Sequence, residues 1–361
     1  MYGGDKGLKS PLFRVMNKRT KKIQTECCAK SKEDDMIKRN LIKRLMAAGT
    51  IMAVTLSLTG CGIGGNSVKL GAAGVGGGYY AFSNAFAQIA SSEDEDLDFE
   101  VKATAGSTAN IRLLSDGYVD MAIAQADLVD AAYNGTGATD KKRYRGYSAV
   151  ASLYTEACQI VVRSDSGIDS LDDLQGKKIS VGEEESGTQR NAEQILKMTG
   201  LVESLVDTVN LDYVDAANEL KSGQIDAFFC TAGIQTSVIE ELSKECDVKL
   251  IGIDDKCRDR LKSVYGFYTD YTIPAGTYEG QTQDVVTLGV RAVLLARDDM
   301  DEKIVEELTG LLFEHAQDIQ YSIALTFQID ESEAVKNVTI PFHDGAKAYY
   351  QKKGIEIPAE Q

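Results

Sequence analysis

The sequence predicts an α/β fold made of two lobes that share one plan, and two observations support this. From residue 68 onward, short apolar runs alternate with amphipathic helical segments, which is typical of helices layered on a sheet. In addition, residues 114–122 parallel residues 220–228, since each segment reads as a helix that ends at a glycine and leads through an aspartate into a buried strand. We therefore expect Asp120 and Asp226, at matching positions in this repeat, to be structural residues.

The elements follow this pattern in order along the chain. In the first lobe we predict strands at 68–72, 99–103 and 120–124, and helices at 79–90, 108–115 and 127–133. Two strands, 147–154 and 159–163, are expected to cross to the next lobe. There we predict strands at 179–182, 225–230 and 248–253, and helices at 188–199, 215–221 and 235–246. A strand at 285–295, a long helix at 300–320 and a final helix at 342–353 complete the pattern.

The N-terminal region resembles an export signal. Residues 36–44 carry four basic side chains, and residues 45–60 form an uncharged run of 16 residues, shorter than the ~20 residues of a membrane-spanning helix. The run ends in Leu58-Thr59-Gly60-Cys61, which resembles a bacterial lipobox and implies a lipid on Cys61; the alternative is a buried cysteine in a core helix. We predict an over-extended start at 1–35, a lipoprotein signal peptide at 36–60 and a tether at 61–67.

The charge of the chain changes when this signal is removed. The first 60 residues hold 13 basic and 5 acidic residues, so residues 61–361 hold 26 basic and 50 acidic residues, a net charge of −24. A surface this acidic repels nucleic acid and anionic lipid headgroups. We therefore expect no nucleic-acid partner, and membrane attachment through the lipid rather than through a basic patch.

The remaining cysteines and histidines predict neither a metal site nor a cofactor. No C-x-x-C motif occurs among the four cysteines after Cys61, and the two histidines, His315 and His343, lie far from them in sequence. Cys246 and Cys257 could pair outside the cytoplasm or could equally remain free thiols.

Three turns place small or hydroxyl-bearing residues at the start of a helix, namely Gly76–Tyr79, Gly106–Thr108 and Ser186–Thr188. A helix start exposes unpaired N–H groups and the positive end of the helix dipole. If these starts converge at the carboxyl ends of their strands, they form an anion pocket without a basic side chain. For each turn taken alone, ordinary N-capping is the alternative.

These turns also carry a family resemblance. Gly76-Gly77-Gly78-Tyr79-Tyr80 and the segment from Thr104 to Leu114 resemble signatures of the TAXI-type solute-binding proteins of TRAP transporters. Further matching segments are 124–127, 152–156, 165–168, 173–177, 182–188 and 273–278, so the resemblance covers about residues 68–350. It implies a type II periplasmic-binding-protein-like fold with a hinge of two crossing strands. The first lobe would comprise 68–157 and 274–361, and the second 158–273.

The resemblance also implies a function and a pocket. The protein would be an extracytoplasmic, lipid-anchored receptor, not an enzyme, that delivers a small organic acid, a glutamate-like amino acid or a dicarboxylate, to TRAP-type membrane permease subunits. The family's pocket positions fall on Gly78, Tyr79, Ser107, Asn110, Gln125, Asp127, Tyr154, Ser186, Gly187, Thr188, Thr231 and Gly233. The chain departs from the family at Thr155, where a proline is usual, and at Thr231-Ala232-Gly233, where Gly-Gly is frequent.

Three charged residues add candidate roles. Asp127 could bind a ligand ammonium group, which would favour an amino acid over a plain diacid, or could cap its own helix. Arg163 and Arg190 are candidate carboxylate clamps, with surface ion pairs as the alternative.

Two other functions stay open at this point. An exported hydrolase would use Ser107 or Ser186, but no G-x-S-x-G motif is present, and we expect the acidic run at 183–185 to face solvent. A ligand-sensing lipoprotein would share the fold and the pocket of a receptor.

Overall fold

The computed structural model of the protein describes residues 66–137, 141–202, 204–323 and 329–358. The predicted N-terminal start, the signal peptide, Cys61 and all but the last two residues of the tether lie outside the described residues. The part of the chain from Gly64 onward forms one compact unit. Across the described ranges, no helix is both long enough and apolar enough to span a membrane.

The first lobe is built from three strands, each followed by a helix. The strands are β1 (Asn66–Gly71), β2 (Leu97–Lys102) and β3 (Met121–Gln125), and the helices are α1 (Gly78–Glu93), α2 (Ser107–Ser115) and α3 (Ala126–Asn134). Strand β1 lies between β2 and β3 and is parallel to both. The helix starts therefore lie at one edge of the sheet, beyond the carboxyl ends of the strands.

The second lobe repeats this arrangement. Its strands are β5 (Lys178–Ser180), β6 (Asp207–Val209), β7 (Ala227–Ala232) and β8 (Val248–Leu250), and its helices are α4 (Gly187–Thr199), α5 (Tyr213–Ser222), α6 (Ser237–Glu245) and α7 (Asp255–Val264). Strand β5 lies between β6 and β7 and is parallel to both, as β1 is to its neighbours. Helix α7 and strand β6 were not among the predicted elements.

Two long strands connect the lobes. Strand β4 (Tyr147–Arg163) pairs antiparallel with β10 (Val285–Arg297) in the first lobe and with β7 and β8 in the second. Strand β10 pairs with β3 in the first lobe and with β9 (Thr269–Ile273) near the second. The described strands thus form one sheet in the order β2-β1-β3-β10-β4-β7-β5-β6, and the predicted two-lobed fold with two crossing strands is confirmed.

The prediction of two separate crossing strands at 147–154 and 159–163 is wrong, because they are one strand. Ala157 pairs with Gly289 of β10 on one side and with Ala232 of β7 on the other. The ladder to β7 begins where the ladder to β10 ends, so no residue between the two predicted strands lacks a backbone partner.

Each lobe has its own hydrophobic core. The residues of β4 from Tyr147 to Tyr154 pack in the core of the first lobe, and those from Cys158 onward pack in the cores of the second lobe. Strand β10 is divided in the same way, since Leu288 packs with the second lobe and Leu294 with the first. The two strands are therefore anchored at both ends by buried apolar side chains, as a hinge requires.

The C-terminal part returns to the first lobe as three helices. They are α8 (Glu302–Glu314), α9 (Ala316–Ser322) and α10 (Asp344–Lys353). The single helix predicted at 300–320 is broken at His315, whose φ of −108° and ψ of 19° leave the helical region. The His315 Nδ1 lies 3.0 Å from Asp318 Oδ2 in the next turn.

The two aspartates of the sequence repeat have the same structural role in each lobe. Asp120 Oδ2 accepts a hydrogen bond from Lys69 N (2.9 Å), and Asp226 Oδ2 accepts one from Lys178 N (2.9 Å). The backbone N–H of each aspartate in turn donates to the carbonyl oxygen of the same lysine. Each aspartate thus fixes the start of a buried strand to its neighbour, and the prediction that both are structural is confirmed.

Candidate ligand-binding site

A cavity of about 30 Å3 lies between the lobes, where the helix starts of both halves meet. It is large enough for roughly two water molecules, so a larger guest requires the lobes to separate or a side chain to move. Its walls come from the turns after β1, β2, β5 and β6 and from three crossing or central strands. The lining residues are Ala73, Gly74, Gly77, Gly78, Tyr79, Ala105, Gly106, Ser107, Gln125, Glu156, Glu183, Ser186, Gly187, Thr188, Leu211, Asp212, Tyr213 and Thr231.

The structure gathers most of the predicted pocket residues around this cavity. Those that line it are Gly78, Tyr79, Ser107, Gln125, Ser186, Gly187, Thr188 and Thr231. Asn110, Asp127, Tyr154 and Gly233 do not line it. The Asn110 amide donates to the carbonyl oxygen of Ile123 (2.8 Å) and accepts from Thr104 Oγ1 (2.7 Å), so it joins strands of the first lobe. The Tyr154 ring packs against Phe82 in the core of the first lobe.

Neither arginine predicted as a carboxylate clamp lines the cavity. Arg163 lies at the outer end of β4, where its Nε is 3.1 Å from Asp165 Oδ1 in a partly exposed ion pair. Arg190 lies in the first turn of α4, and its charge favours the ionised form of Asp127 in the first lobe. No lysine, arginine or histidine is among the described residues that line the cavity.

At the three helix starts that meet here, the backbone N–H groups have different hydrogen-bond partners. At α4, Ser186 Oγ accepts from Gln189 N (2.9 Å), so this serine caps its own helix. At α2, the N–H groups of Thr108 and Ala109 donate to the carbonyl oxygen of Glu185 in the other lobe (3.1 and 3.2 Å). At α1, no side chain caps the helix, so this start keeps the dipole effect that an anionic group would use.

Glu156 is the main residue that sequence reasoning missed. The residue is 2% exposed, and Tyr79 Oη donates to its Oε2 at 2.6 Å. Burial raises the pKa of Glu156 to about 8, although hydrogen bonds from Tyr79 and Gln125 favour the ionised form and the nearby Asp127 disfavours it. The signal available was a lone carboxylate within the otherwise uncharged run from Tyr147 to Val162.

Gln125 connects this carboxyl to the second lobe. Its Nε2 donates to Asn191 Oδ1 of α4 (3.0 Å), and its buried Oε1 has no hydrogen-bond partner. The side chain lies against Gly187, where an added Cβ would come within 2.5 Å of the Gln125 amide carbon. Its backbone N–H donates to Ser107 Oγ (3.1 Å). In this closed arrangement Gln125 thus fills part of the space between the lobes.

Asp127 begins α3 beside this group. One of its carboxylate oxygens, Oδ1, is buried without a hydrogen-bond partner. Burial raises the pKa of Asp127 to about 6, and the backbone N–H of Leu128 and the charge of Arg190 oppose that shift. The charge of Asp127 also disfavours ionisation of Glu156, so the two buried carboxyls act on each other.

Hydroxyl groups of the second lobe form the opposite wall. The Thr188 and Tyr213 hydroxyls are 2.6 Å apart, and Thr188 Oγ1 accepts from the backbone N–H of Thr231 (3.2 Å). Tyr213 Oη also donates to the carbonyl oxygen of Thr231 (3.1 Å). These bonds hold the start of α4 to the end of β7 and present a polar wall without a net charge.

The sequence predicts that the acidic run at 183–185 faces solvent, but only Glu184 does so. Glu184 is exposed, whereas Glu183 lines the cavity mouth and Glu185 contacts the first lobe. Glu185 adopts a φ of 65°, and its carboxylate accepts from Arg112 Nε (3.1 Å) and Nη2 (2.7 Å). The run is kept half-buried because this residue uses its carbonyl oxygen and its side chain to hold the lobes together.

The four described cysteines are free thiols, and no cluster able to hold a metal occurs in the described part of the chain. Cys158 and Cys230 are buried beside the cavity, and burial raises the pKa of the Cys158 thiol to about 12. His343 caps α10 and His315 separates α8 from α9. The cavity serines therefore have no histidine partner for a hydrolytic triad among the described lining residues.

Two solved structures superpose on this chain with TM-scores above 0.5. MatC from Rhodopseudomonas palustris, solved with bound malate, superposes with a TM-score of 0.52 at 14% identity over 74% of this chain and 91% of its own. A protein of Bordetella bronchiseptica RB50 superposes with a TM-score of 0.53 at 16% identity over 80% of this chain and 98% of its own. At these identities the likeness establishes the fold. Residues 70–354 match the NMT1-like family, nearly the whole described chain, and the protein therefore belongs to the NMT1-like family.

Proposed function

We propose that this protein is an extracytoplasmic solute receptor that closes its two lobes on a small amino acid. This proposal rests on the composition of the interlobe cavity, which combines an uncapped helix start, six hydroxyl-bearing residues and the buried Glu156, with no basic side chain among the described lining residues. A helix start and hydroxyl donors suit a carboxylate, and a buried carboxyl suits an ammonium group. A zwitterion presents both.

A plain dicarboxylate fits this cavity less well than an amino acid. It brings no ammonium group to offset its negative charges near Glu156 and Glu183, and no arginine or lysine among the described lining residues does so, whereas the ammonium of L-glutamate offsets one of its two carboxylates. We therefore favour the glutamate-like amino acid over the diacid among the organic acids that the sequence suggested. Malate, which MatC holds, is the natural comparison ligand.

The fold supports a receptor that opens and closes. The cavity is smaller than an amino acid, while β4 and β10 are the two strands that pass between the cores. A ligand would enter when the lobes separate and become enclosed when they close.

The TAXI subtype, the lipid anchor and the TRAP-type permease complete the proposal. They rest on the sequence signatures from Gly76 to Thr188 and on the lipobox-like Leu58–Cys61 segment. Reconstituting the protein with its membrane subunits and imposing an ion gradient without ATP should drive uptake of the ligand. Uptake that instead requires ATP would contradict the TRAP assignment.

A thermal-shift screen tests the ligand class. L-Glutamate, L-glutamine and other amino acids would be compared with glutarate and malate, which lack the amine. A ligand present at 100 times its Kd stabilises the folded state by about 2.7 kcal/mol. We expect such stabilisation from at least one amino acid and not from its deaminated counterpart. A response to glutarate equal to that to L-glutamate would overturn the amino-acid assignment.

A further inference from the structure

We infer that Glu156 receives the ammonium group of the ligand and gives up a proton to solvent as the ligand binds. This inference rests on the proposed function, because it assigns a role to one residue of the same cavity. In this step the O–H bond of the Glu156 carboxylic acid breaks, the proton passes to water, and the ligand keeps its ammonium charge.

The first support is the position of Glu156. Its side chain reaches the cavity from the middle of β4, close to the point where the ladders to β10 and β7 meet. It is 2% exposed, and its neighbours on the strand, Thr155 and Ala157, carry no positive charge that could balance an ionised carboxylate. A buried carboxyl placed at the wall of a ligand cavity without a counter-charge is costly to ionise until a cation is supplied.

The second support is the set of groups around this carboxyl. Tyr79 Oη donates to Glu156 Oε2, and Gln125 provides both an amide donor and an unpartnered buried oxygen, Oε1. A ligand ammonium has three N–H donors, and the Glu156 carboxylate and Gln125 Oε1 are two acceptors that it could satisfy together. The unpartnered oxygen thus marks a place where a donor is missing from the protein itself.

The third support is that no titratable side chain acting on Glu156 supplies the positive charge that a ligand ammonium would bring. The titratable groups whose charge acts on or responds to Glu156 come from α1, α3, β4, α5 and β7, and they are Tyr79, Asp127, Tyr154, Cys158, Tyr213 and Cys230. All are neutral or acidic. Across the crossing strands, Arg291 of β10 donates instead to Ser152 Oγ (3.0 Å) and to the carbonyl oxygen of Leu153 (3.2 Å).

The pH range follows from these groups. Burial raises the pKa values of the tyrosine and cysteine neighbours further above neutrality, so they stay protonated from pH 6.5 to 8. Asp127, with a pKa raised to about 6, is largely ionised there. Glu156 is the group of this set that exchanges its proton in that window, because its pKa is raised to about 8.

Calorimetric titration with L-glutamate at pH 7, in two buffers of different ionisation enthalpy, measures the protons released. We expect close to one proton released per ligand, and a Kd that falls by up to about tenfold per pH unit between pH 6.5 and 7.5. Glu156→Gln keeps the side-chain shape but cannot ionise, so it should bind at least tenfold more weakly, release no proton and lose this pH dependence. Glu184→Gln, in the same acidic run but exposed and outside the cavity lining, is the control and should still release the proton.

Infrared difference spectroscopy checks the same step without relying on affinity. The ligand-free protein at pH 6.5 should show the C=O band of a buried protonated carboxyl that is absent from Glu156→Gln, and L-glutamate should bleach it. L-Glutamate binding with no proton release, or with equal release from Glu156→Gln, would overturn this inference and leave the receptor function standing. Binding of glutarate in place of L-glutamate would overturn both the amino-acid assignment and the role of Glu156.

Discussion

Arg112 of the first lobe and Glu185 of the second form a two-point ion pair, with Nη2–Oε2 and Nε–Oε1 distances of 2.7 and 3.1 Å. Glu185 also accepts the N–H groups of Thr108 and Ala109 at the start of α2. Its φ of 65° is unfavourable for a residue with a side chain, and these contacts compensate for that strain. These contacts lie beside the ligand cavity and hold the closed arrangement together with the Gln125–Asn191 hydrogen bond in the cavity wall.

Arg112→Ala should shift the free protein toward open lobes. Both side chains are more than one third exposed, so solvent screens the pair and we expect the unfolding free energy to fall by less than about 1 kcal/mol. A small interaction can still shift a balance between open and closed forms severalfold. Small-angle scattering of the ligand-free variant should give a larger radius of gyration than the wild type.

Lys221→Ala is the control for this prediction. Its Nζ pairs with Glu245 Oε2 at 2.7 Å within the second lobe, so its loss removes a comparable exposed ion pair without touching the interlobe contact. Equal scattering curves for Arg112→Ala and the wild type would show that the pair does not hold the lobes.

Glu156→Gln should make the folded protein more stable at neutral pH. The pKa of Glu156 is about 8 in the folded state against an ordinary value of 4.5, so between these values the folded state holds a proton that the unfolded state has lost. Stability therefore falls as the pH rises through this window, the reverse of a salt-bridged carboxylate. Glu156→Gln cannot lose stability in this way, so at pH 7.5 its free energy of unfolding should exceed that of the wild type by a few kcal/mol.

Urea unfolding at pH 5 and pH 7.5 measures this effect. The difference in stability between Glu156→Gln and the wild type should be larger at pH 7.5 than at pH 5. Asp127→Asn is the comparison, because the pKa of Asp127 is raised only to about 6 and its contribution should level off above that pH. A wild-type stability that rises steadily from pH 5 to pH 7.5, unchanged by Glu156→Gln, would contradict the neutral state of the buried carboxyl.

The turns that build the cavity could be predicted from sequence because three such turns each follow a strand, and the carboxyl ends of parallel strands lie at one edge of the sheet. Ser107, Ser186 and Thr188 all reach the cavity. Their detailed roles could not be predicted, since capping, as by Ser186, and lining a cavity use the same residue types. Glu156 was missed because strand periodicity does not reveal which face of β4 meets the other lobe. The charge of Arg163 suggests a carboxylate clamp, but its position on β4 takes it to the outer end of the second lobe.

Gly187→Ala should hinder lobe closure with little effect on folding. The backbone of Gly187 is in the first turn of α4, where alanine fits, and the added Cβ would approach the Gln125 side chain to 2.5–2.7 Å. The Gln125 amide would have to leave Asn191, breaking a 3.0 Å interlobe hydrogen bond. We expect the unfolding free energy to change by less than about 1 kcal/mol and ligand affinity to fall about tenfold.

A double-mutant cycle isolates this clash. In a Gln125→Ala background the alanine at 187 has no amide to displace, so its effect on closure should largely disappear in scattering and in calorimetric titration. If Gly187→Ala weakens binding equally in both backgrounds, the contact with Gln125 is not the cause.

Asp120→Ala and Asp226→Ala should destabilise the two lobes in the same way and leave ligand binding intact. Each carboxylate accepts a strand N–H at 2.9 Å, and because these bonds are exposed or only partly buried, we expect each replacement to cost about 0.5–1.5 kcal/mol. Asp120 is also 3.6 Å from Arg297 Nη1, so its replacement should cost somewhat more than that of Asp226. Urea unfolding curves of the two variants, beside titrations with the ligand that the thermal-shift screen identifies, would test this. A variant that loses affinity while keeping its unfolding midpoint would show that the repeated aspartate acts on the cleft and not on the strand it fixes.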